Sequence, residues 1–306
     1  MSCRRIFRAD LDNLHARAKG TRLTEPFRQA LEEEESILLG YRRGEKLTAL
    51  SGISYLRFDT HHFGFKAGTL LNPVALAGTS SGRDRELLDT LLLHAADNHY
   101  RHITAKTPSE DIPLSGLLED LGFRLITCNV LLSRQLREKE NDTGALRIRR
   151  AAVADLQSLK SLARSGFSKG TRFHLDPLIP RDKATDLHVL WIENLLKDRR
   201  AQVLCADTGS GVAGFAACET RRETGAIDKR TGYITLIAVD PDYRGRGVGS
   251  DLVRAALGDF GKRVPTVTVD TESVNYAALG LYQRSGFSIK GSRYVFHKWL
   301  GEERHG

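Results

Sequence analysis

The sequence predicts a mixed α/β protein in which helices cover both faces of a sheet. Apolar runs with strand character alternate with segments whose leucines recur at helical spacing. Across residues 146–306 the predicted order is strand, helices, three strands, helix, strand, helix, strand. A weaker version of this order occupies the first half of the chain. We therefore expect two related domains.

The composition is that of a soluble globular protein, with 41% apolar and 27% charged residues among 306. No run of eighteen apolar residues occurs, and the first residues lack the apolar region of a secretory signal. We therefore predict a cytoplasmic protein with no membrane partner. The cysteines lack paired spacing, so neither disulfides nor a bound metal is expected. They are Cys3, Cys128, Cys205 and Cys218.

The net charge of +8 is compatible with nucleic acid or with small anionic ligands. Arginines and lysines are spread along the chain and form no single basic block, which argues against a nucleic acid partner. Charge alone does not separate these two classes of ligand.

The first half contains several predicted elements. Residues 1–45 are interpreted as a helical extension, with a helix beginning at Glu25-Pro26. Residues 47–71 have strand character, with His61-His62 at a turn. A metal site there would need a third ligand, and none stands at useful spacing. Further along we predict a loop at 72–84, helices at 85–100 and 111–121, and strands at 102–106 and 124–132.

Shifting the chain by 164 residues superimposes similar residues of the two halves. The matching positions are Gly122-Phe123 with Gly286-Phe287, Thr104 with Thr268, Thr107 with Thr271 and Leu117 with Leu281. Residues 46–145 are therefore predicted to be a degenerate copy of residues 146–306. The polar stretch at 133–145 is the expected linker between them.

The second half begins with a strand at residue 146 and a helix from Ala154 with an apolar face of Leu156, Leu159 and Leu162. A loop at 168–180 precedes a helix at 183–196, in which Trp191 is expected in the core. Strands at 202–206 and 212–220 form a predicted hairpin. The remaining expectations are a strand at 233–240, a helix after the glycines that follow it, a strand at 264–270, a helix at 275–284 and a strand at 292–300.

Residues 233–250, YITLIAVDPDYRGRGVGS, combine a buried strand, a proline that ends it and a glycine-rich entry into a helix. Glycines allow successive backbone N–H groups to face one side, and a helix N-terminus adds partial positive charge. This pattern predicts a diphosphate site. The Gly-Lys-Ser/Thr of a Walker loop is absent, and Ser250 stands where a dinucleotide fingerprint has glycine.

Arg-x-x-Gly-x-Gly between a strand ending in Val-Asp-Pro and a helix resembles the acetyl-CoA pyrophosphate loop of the GNAT N-acetyltransferases. The opening "strand, then xxAxxADLxxLxxLA" is similar to the start of GNAT domains. The resemblance implies a mostly antiparallel sheet, acetyl-CoA as co-substrate and acyl-CoA-dependent N-acetyl transfer to an amine. In the repeat register the loop falls opposite Ser80, Ser81, Arg83 and Arg85, so only the second copy is expected to bind CoA.

The same resemblance implies roles for individual residues. Backbone groups of Ile237 to Val239 would pair with pantetheine, and an amide near Ala238 would donate to the oxyanion. Asn275 would contact CoA, and Tyr282 would face the sulfur as general acid. The implied pyrophosphate ligands are Arg244, Gly245, Arg246, Gly247, Val248, Gly249 and Ser250.

The base and the acceptor are less determined. Glu219 and His174 are candidate bases, water-mediated transfer is an alternative, and Arg172 with His174 could bind substrate oxygens. The patterns SGFSKGTRFHLDPLIP, Trp191 to Asn194 and Phe63 to Phe65 resemble the dTDP-fucosamine acetyltransferases. That likeness implies a dTDP-linked amino deoxy sugar as acceptor. The alternatives are a protein N-terminus, lysine, polyamine or antibiotic as acceptor, or a non-catalytic acetyl-CoA-binding module. A homodimer is possible.

Overall fold

The computed structural model describes residues 2–5, 25–44, 46–75, 83–136, 147–222, 230–261 and 263–301. Two compact units make up the fold, the first comprising residues 1–126 with 294–306 and the second residues 127–293. Among the helices in the described ranges, none is long and apolar enough to cross a bilayer.

The first unit contains a sheet whose β4 and β5 are parallel, while β1 to β4 pair antiparallel. In spatial order its strands are β1 (Ser2–Arg5), β2 (Ile37–Arg43), β3 (Lys46–Tyr55), β4 (Lys66–Ala75), β5 (Tyr100–Pro108) and, from Tyr294 on, β12 (Ser288–Trp299). Its helices are α1 (Glu25–Glu32), α2 (Arg57–Phe63), α3 (Arg83–Asp97) and α4 (Ile112–Asp120). Leu87, Leu88 and Leu91 of α3 pack against Leu39 and Ile53 in its larger core.

The second unit contains a sheet with one parallel pair, β10 with β11, among otherwise antiparallel neighbours. In spatial order its strands are β6 (Arg124–Gln135, from Thr127 on), β11 (Thr266–Glu272), β10 (Arg230–Val239), β9 (Val212–Arg222), β8 (Ala201–Asp207) and β7 (Arg147–Arg150). Its helices are α5 (Leu156–Gly166), α6 (Arg172–Leu175), α7 (Arg181–Lys197), α8 (Val248–Phe260) and α9 (Tyr276–Arg284). The predicted hairpin and the predicted mixed α/β class are confirmed.

Helices cover both faces of the second sheet. Leu236 and Ala238 of β10 pack with apolar residues of α5 and α7. Ile234, on the same strand, packs with residues of α8 and α9. The irregularity in the β9–β10 register between Ile234 and Leu236 shifts the alternation of the strand, so these even-numbered residues face opposite cores.

The predicted repeat is visible in the element bounds. A shift of 164 residues carries β2 onto β8, β4 onto β10, α4 onto α9 and β6 onto β12. In each pair the first and last positions of the two elements then coincide. The caps repeat as well, because the Asp111 side chain accepts from Leu114 N–H and the Asn275 side chain accepts from Ala278 N–H. The two halves are copies of one fold.

Three expectations differ from the structure. Residues 1–45 are not a purely helical extension, because β1 and β2 are strands and β2 is the counterpart of β8. His61 and His62 lie on α2, which ends at Gly64 with φ of 80°. Residues 133–135 of the predicted linker pair with β11 as the end of β6. The domain bounds at 45 and 145 remain predictions, and the compact units divide elsewhere.

Candidate active site

The glycine-rich loop follows β10 directly. A short turn at Pro241–Tyr243 is fixed by the Asp240 carboxylate, which accepts from the Asp242 N–H at 2.9 Å. Gly245 and Gly247 then adopt φ of 74° and 86°, in the left-handed region that favours glycine. The chain reverses here without obstructing the start of α8.

The first turn of α8 offers backbone donors to a ligand. Asp251 N–H makes the first helical hydrogen bond, to Gly247 O at 3.0 Å. The amides of Val248, Gly249 and Ser250 precede that bond and have no intrahelical acceptor. Because the helix dipole adds positive charge at the same end, the loop fits a phosphate group.

The parallel pair β10–β11 separates soon after it begins. Only Gly232 with Val267 and Tyr233 with Thr268 are paired, although β10 continues to Val239. On its other side β10 stays paired with β9 as far as Val239 with Gly214. The β11-facing edge of β10 beyond Tyr233 therefore borders a gap that leads toward the glycine-rich loop.

Strand alternation decides which backbone groups face this gap. Asp240 N–H bonds to Ala213 O at 2.9 Å, so the antiparallel register directs the N–H and C=O of Ala238 toward Phe215 in β9. The corresponding groups of Ile237 and Val239 point to the gap. The amide of Ala238, the residue about which the oxyanion donor is expected, is therefore turned away from the gap.

A basic cavity of about 840 Å³ begins beside the loop. Ser250, Arg254 and Leu257 of α8 line one side, and Arg284 at the end of α9 lines another. Arg134 is held there by a 2.7 Å bond to Ser285 O, and Arg254 by a 2.7 Å ion pair with Asp251. Arg284 and Lys290 make no ion pair within the described residues, so their charges are available to an anion.

Tyr282 lies on α9 in the core that also holds Ile234 and Cys218. Its ring centroid is 5.7 Å from that of Phe287, and its hydroxyl makes no hydrogen bond to another described residue. Burial raises the pKa of this phenol above its usual range. Tyr282 is thus kept protonated, as a proton donor must be.

Glu219 is tied to its neighbours on the α5/α7 face. Its Oε2 accepts from Thr235 Oγ1 at 2.7 Å and from Arg221 Nη2 at 3.0 Å. Thr235 sits at the irregularity in the β9–β10 register. The carboxylate lies on β9, one strand removed from the gap, and its charge is partly balanced by Arg221.

His174 is engaged at both ring nitrogens. Thr185 Oγ1 donates to Arg181 O, so it accepts from Nε2 of His174 at 3.1 Å. Nδ1 lies 2.8 Å from Thr171 Oγ1 and therefore accepts in the neutral ring. Burial, then the charge of Arg181, lowers the pKa of His174. These contacts fix the loop. Arg172 is the other residue of this loop that is predicted to bind substrate, and its guanidinium lies 4.2 Å from the Phe173 ring centroid.

Sequence reasoning missed His188, which lies beneath this loop. Its ring stacks on Phe167 with centroids 4.5 Å apart and contacts Phe173 and Trp191. Burial first, and the positive charge of Arg172 second, lower the pKa of His188 to about 3. The ring is therefore neutral and acts as part of an aromatic support for the loop. Its helical spacing from Trp191 was the available signal.

The described residues of the first unit lack the equivalents of Tyr282, Asp270 and the strand gap. The positions matching Tyr282 and Asp270 are Leu118 and Lys106. The Asn72 side chain crosses from β4 to bond Lys106 O at 2.9 Å, in the place where the second unit has its gap. Of the loop counterparts, Ser80 and Ser81 lie outside the described residues, while Arg83 and Arg85 lie on α3.

Residues 169–287, which include the loop, the strand gap and Tyr282, match the model of the Acetyltransferase (GNAT) family. The second unit contains a GNAT acetyltransferase domain. It is therefore an acyl-CoA-dependent N-acyltransferase, as the sequence predicts.

Individual GNAT relatives extend the comparison. The spore coat polysaccharide biosynthesis protein SpsD of Bacillus subtilis is 25% identical over 236 residues, which are 76% of this chain and 79% of that protein. The N-alpha-acetyltransferase RimI of Mycobacterium tuberculosis is 32% identical over 100 residues, covering 33% of this chain and 60% of RimI. A tandem GNAT protein from the clavulanic acid biosynthesis pathway matches 99% of both chains with a TM-score of 0.61 and 13% identity. This last likeness supports the duplicated fold.

Proposed function

We propose that this GNAT protein transfers acetyl from acetyl-CoA to the amine of a nucleotide-linked amino deoxy sugar, with dTDP as the nucleotide. The observation that carries the proposal is the gap between β10 and β11. It runs from the glycine-rich loop, which follows Val239, back along β10 toward Ile234, which shares its core with Tyr282. An extended acyl carrier with phosphates at one end fits this arrangement.

The residues present fit CoA. The amides of Val248 to Ser250 would hold the pyrophosphate, and the gap-facing groups of Ile237 and Val239 would pair with the pantetheine arm. Asn275 already caps α9 through Oδ1, which leaves its Nδ2 to donate. The basic cavity beside Ser250 would take the 3′-phosphate through Arg284 and Lys290.

When bound, acetyl-CoA supplies the acetyl thioester that an amine attacks. The amide of Ile237 or Val239 would donate to the developing oxyanion, in a site from which most water is excluded. Tyr282 would give its hydroxyl proton to the departing sulfur and recover a proton from the amine nitrogen. Burial keeps that hydroxyl protonated at neutral pH.

The acceptor proposal rests on the loop at 168–180 and on one relative. Arg172 and the aromatic cluster around His188 could bind the phosphates and pack beneath the rings of a nucleotide sugar. SpsD, whose likeness spans most of both chains, belongs by its name to polysaccharide biosynthesis. Both features favour a carbohydrate acceptor over a peptide.

An acceptor screen tests the proposal. Purified protein with acetyl-CoA would be offered dTDP-linked 4-amino sugars, amino sugars, polyamines, aminoglycosides and N-terminal peptides, with release of free thiol as the readout. We expect the highest kcat/KM with the amino sugar nucleotides. A preference for peptides would reject the sugar acceptor, and no transfer to any amine together with tight acetyl-CoA binding would indicate a binding module.

The role of Tyr282 is tested in the same assay. Tyr282→Phe should lower kcat about 100-fold while leaving the Kd of acetyl-CoA within threefold, because only the proton donor is lost. Tyr276→Phe is the matched control, since Tyr276 is on the same helix and 77% exposed. Unchanged turnover in Tyr282→Phe would remove Tyr282 from the mechanism.

A further inference from the structure

A hydrogen bond between two side chains joins the strands that border the gap where they separate. The hydroxyl of Tyr233 on β10 donates to Oδ2 of Asp270 on β11 at 2.7 Å. Tyr233 is in the last backbone pair, with Thr268, and Asp270 lies two residues further along β11. The carboxylate therefore stands on the wall of the gap, at the end away from the phosphate loop.

Asp270 retains capacity for another donor. Its Oδ1 is buried and accepts no hydrogen bond within the described residues, and Arg293 Nη2 forms an ion pair with it at 3.9 Å, beyond hydrogen-bond reach. The side chain keeps 24% of its surface exposed. An ionised carboxylate can accept several hydrogen bonds, so a cationic donor would find a place here.

Tyr233 is itself held in place. The guanidinium carbon of Arg221 lies 3.7 Å from the centre of its ring, and Arg221 is paired with Glu219. Burial, then the charge and hydrogen bond of Asp270, raises the pKa of Tyr233. Its proton therefore stays on the phenol and remains donated to Oδ2, which fixes the carboxylate.

This pair and Tyr282 occupy opposite faces of the sheet. Tyr233 is the cross-strand partner of Glu219. Glu219 is two residues from Ala217 on β9 and so lies on the same face, which α5 and α7 cover. Tyr282 packs with Ile234 on the face covered by α8 and α9. A group lying in the gap would be reached by Asp270 from one face and by Tyr282 from the other.

The first unit provides an internal comparison. The counterparts of Tyr233 and Asp270 are Thr69 and Lys106, which cannot form a phenol–carboxylate bond. Thr69 and Thr104, the counterpart of Thr268, are nevertheless paired as Tyr233 and Thr268 are. The backbone position is common to both copies, so the strand pairing alone does not require the Tyr233–Asp270 bond.

We propose that Asp270 is the general base of the acetyl transfer, binding the acceptor's ammonium group and taking its proton, with Tyr233 as a positioning residue. This inference rests on the proposed acetyltransferase function. The first N–H proton passes to Asp270 and then to water. The nitrogen lone pair forms the C–N bond, the C–S bond breaks, and the second N–H proton replaces the one that Tyr282 gives to sulfur.

The test compares two kinds of amine. One is the acceptor that the wild type uses best in the screen, an alkylammonium at pH 7, and the other is hydroxylamine, which is already neutral at that pH. Asp270→Asn keeps an oxygen for Tyr233 but removes the base. We expect about a 100-fold loss of kcat/KM with the alkylammonium and less than a threefold change with hydroxylamine.

Raising the pH should partly rescue Asp270→Asn with the alkylammonium acceptor, because the free amine becomes more abundant. Tyr233→Phe should lower kcat three- to tenfold with KM for acetyl-CoA unchanged. Glu272→Gln, which removes a carboxylate two residues along β11, is the charge control and should stay within twofold. Acetyl-CoA affinity and thermal unfolding verify that each variant is folded.

The outcomes separate the two proposals. A wild type that acetylates no amine overturns both. If the wild type is active and Asp270→Asn is as active as the wild type on both amines, the assignment of the base is overturned and acetyl transfer still stands. Equal losses on both amines, or an equal loss in Glu272→Gln, would make Asp270 a structural or electrostatic residue. If Asp270→Asn is unfolded, an unchanged kcat in Tyr233→Phe overturns the assignment.

Discussion

Gly166, the last residue of α5, packs directly on Ala238 of β10. A Cβ added at position 166 would lie 2.9 Å from the Cβ of Ala238, closer than two such atoms approach. The end of α5 therefore contacts β10 beside the residues that face the gap, and only glycine permits that distance.

Gly166→Ala should lower the free energy of unfolding by about 1–3 kcal/mol, because either α5 or β10 must move. Movement of β10 should also weaken acetyl-CoA binding. Chemical denaturation and calorimetric titration measure the two effects. Gly258→Ala is the control, since this glycine also lies in a helix and has nothing within 4 Å. It should be neutral or stabilising by up to about 1 kcal/mol.

Gly247→Ala should reduce acetyl-CoA affinity at least tenfold. Alanine at φ of 86° is strained, and relief of the strain would rotate the first amides of α8 away from the ligand. Gly209→Ala supplies the matched comparison, because Gly209 has φ of 80° and open space but lies in the β8–β9 hairpin. Both variants should lose about 1 kcal/mol of stability, and equal affinities would contradict a phosphate role for the loop.

The basic cavity predicts discrimination between CoA and dephospho-CoA. Arg284 and Lys290 supply charge without ion-pair partners in the described part of the chain, so the 3′-phosphate should strengthen binding about tenfold. In Arg284→Gln this preference should fall severalfold, whereas the exposed Arg199→Gln should retain it. Equal affinity of the wild type for both nucleotides would show that the cavity does not take the 3′-phosphate.

Stability should fall on acidification through one carboxylate. Arg149 bonds Asp155 at 2.7 and 2.8 Å, and these bonds are the main reason that the pKa of Asp155 is lowered to about 2. A lowered folded-state pKa stabilises the fold above the unfolded value and loses that effect as pH falls from about 4 to about 2. The loss should be about 2 kcal/mol by urea unfolding. Asp155→Asn should be less stable at pH 6 and show a shallower slope below pH 4.

A polypeptide of residues 146–306 should not fold on its own. It lacks the β6 residues that pair with β11 from Asn129 with Glu272 to Gln135 with Thr266. The exposed edge of β11 would favour aggregation. A polypeptide of residues 127–293 retains that strand and should show cooperative unfolding by circular dichroism. Soluble, cooperative 146–306 would instead support the domain boundary predicted near residue 145.

Local chemistry made the elements around the glycine-rich loop predictable. Pro241, the glycines after Arg244 and the apolar run before them specify a strand, a turn and a helix start within twenty residues. The repeat could also be predicted from the sequence, because Gly122 and Gly286 both adopt φ of 80° at the end of equivalent helices. Such signals depend on neighbours in sequence.

Other parts of the site depend on neighbours in space. The hydrogen bond between Tyr233 and Asp270 requires the parallel register of strands joined through α8, which periodicity does not give. The orientation of the Ala238 amide follows from the phase of the β9 pairing. Residues 37–43 fall within the predicted helical extension, yet pairing with β3 makes them a strand.

From Tyr294 on, β12 belongs to the first unit, which affects how this unit folds during synthesis on the ribosome. Phe296 is 1% exposed in the larger core of the first unit, and Leu300 N–H bonds Arg101 O at 2.9 Å. Part of that core and one side of β5 therefore stay uncovered in the first 126 residues until the segment from Tyr294 to Leu300 has been translated. A premature stop codon anywhere in the catalytic half would leave both units incomplete.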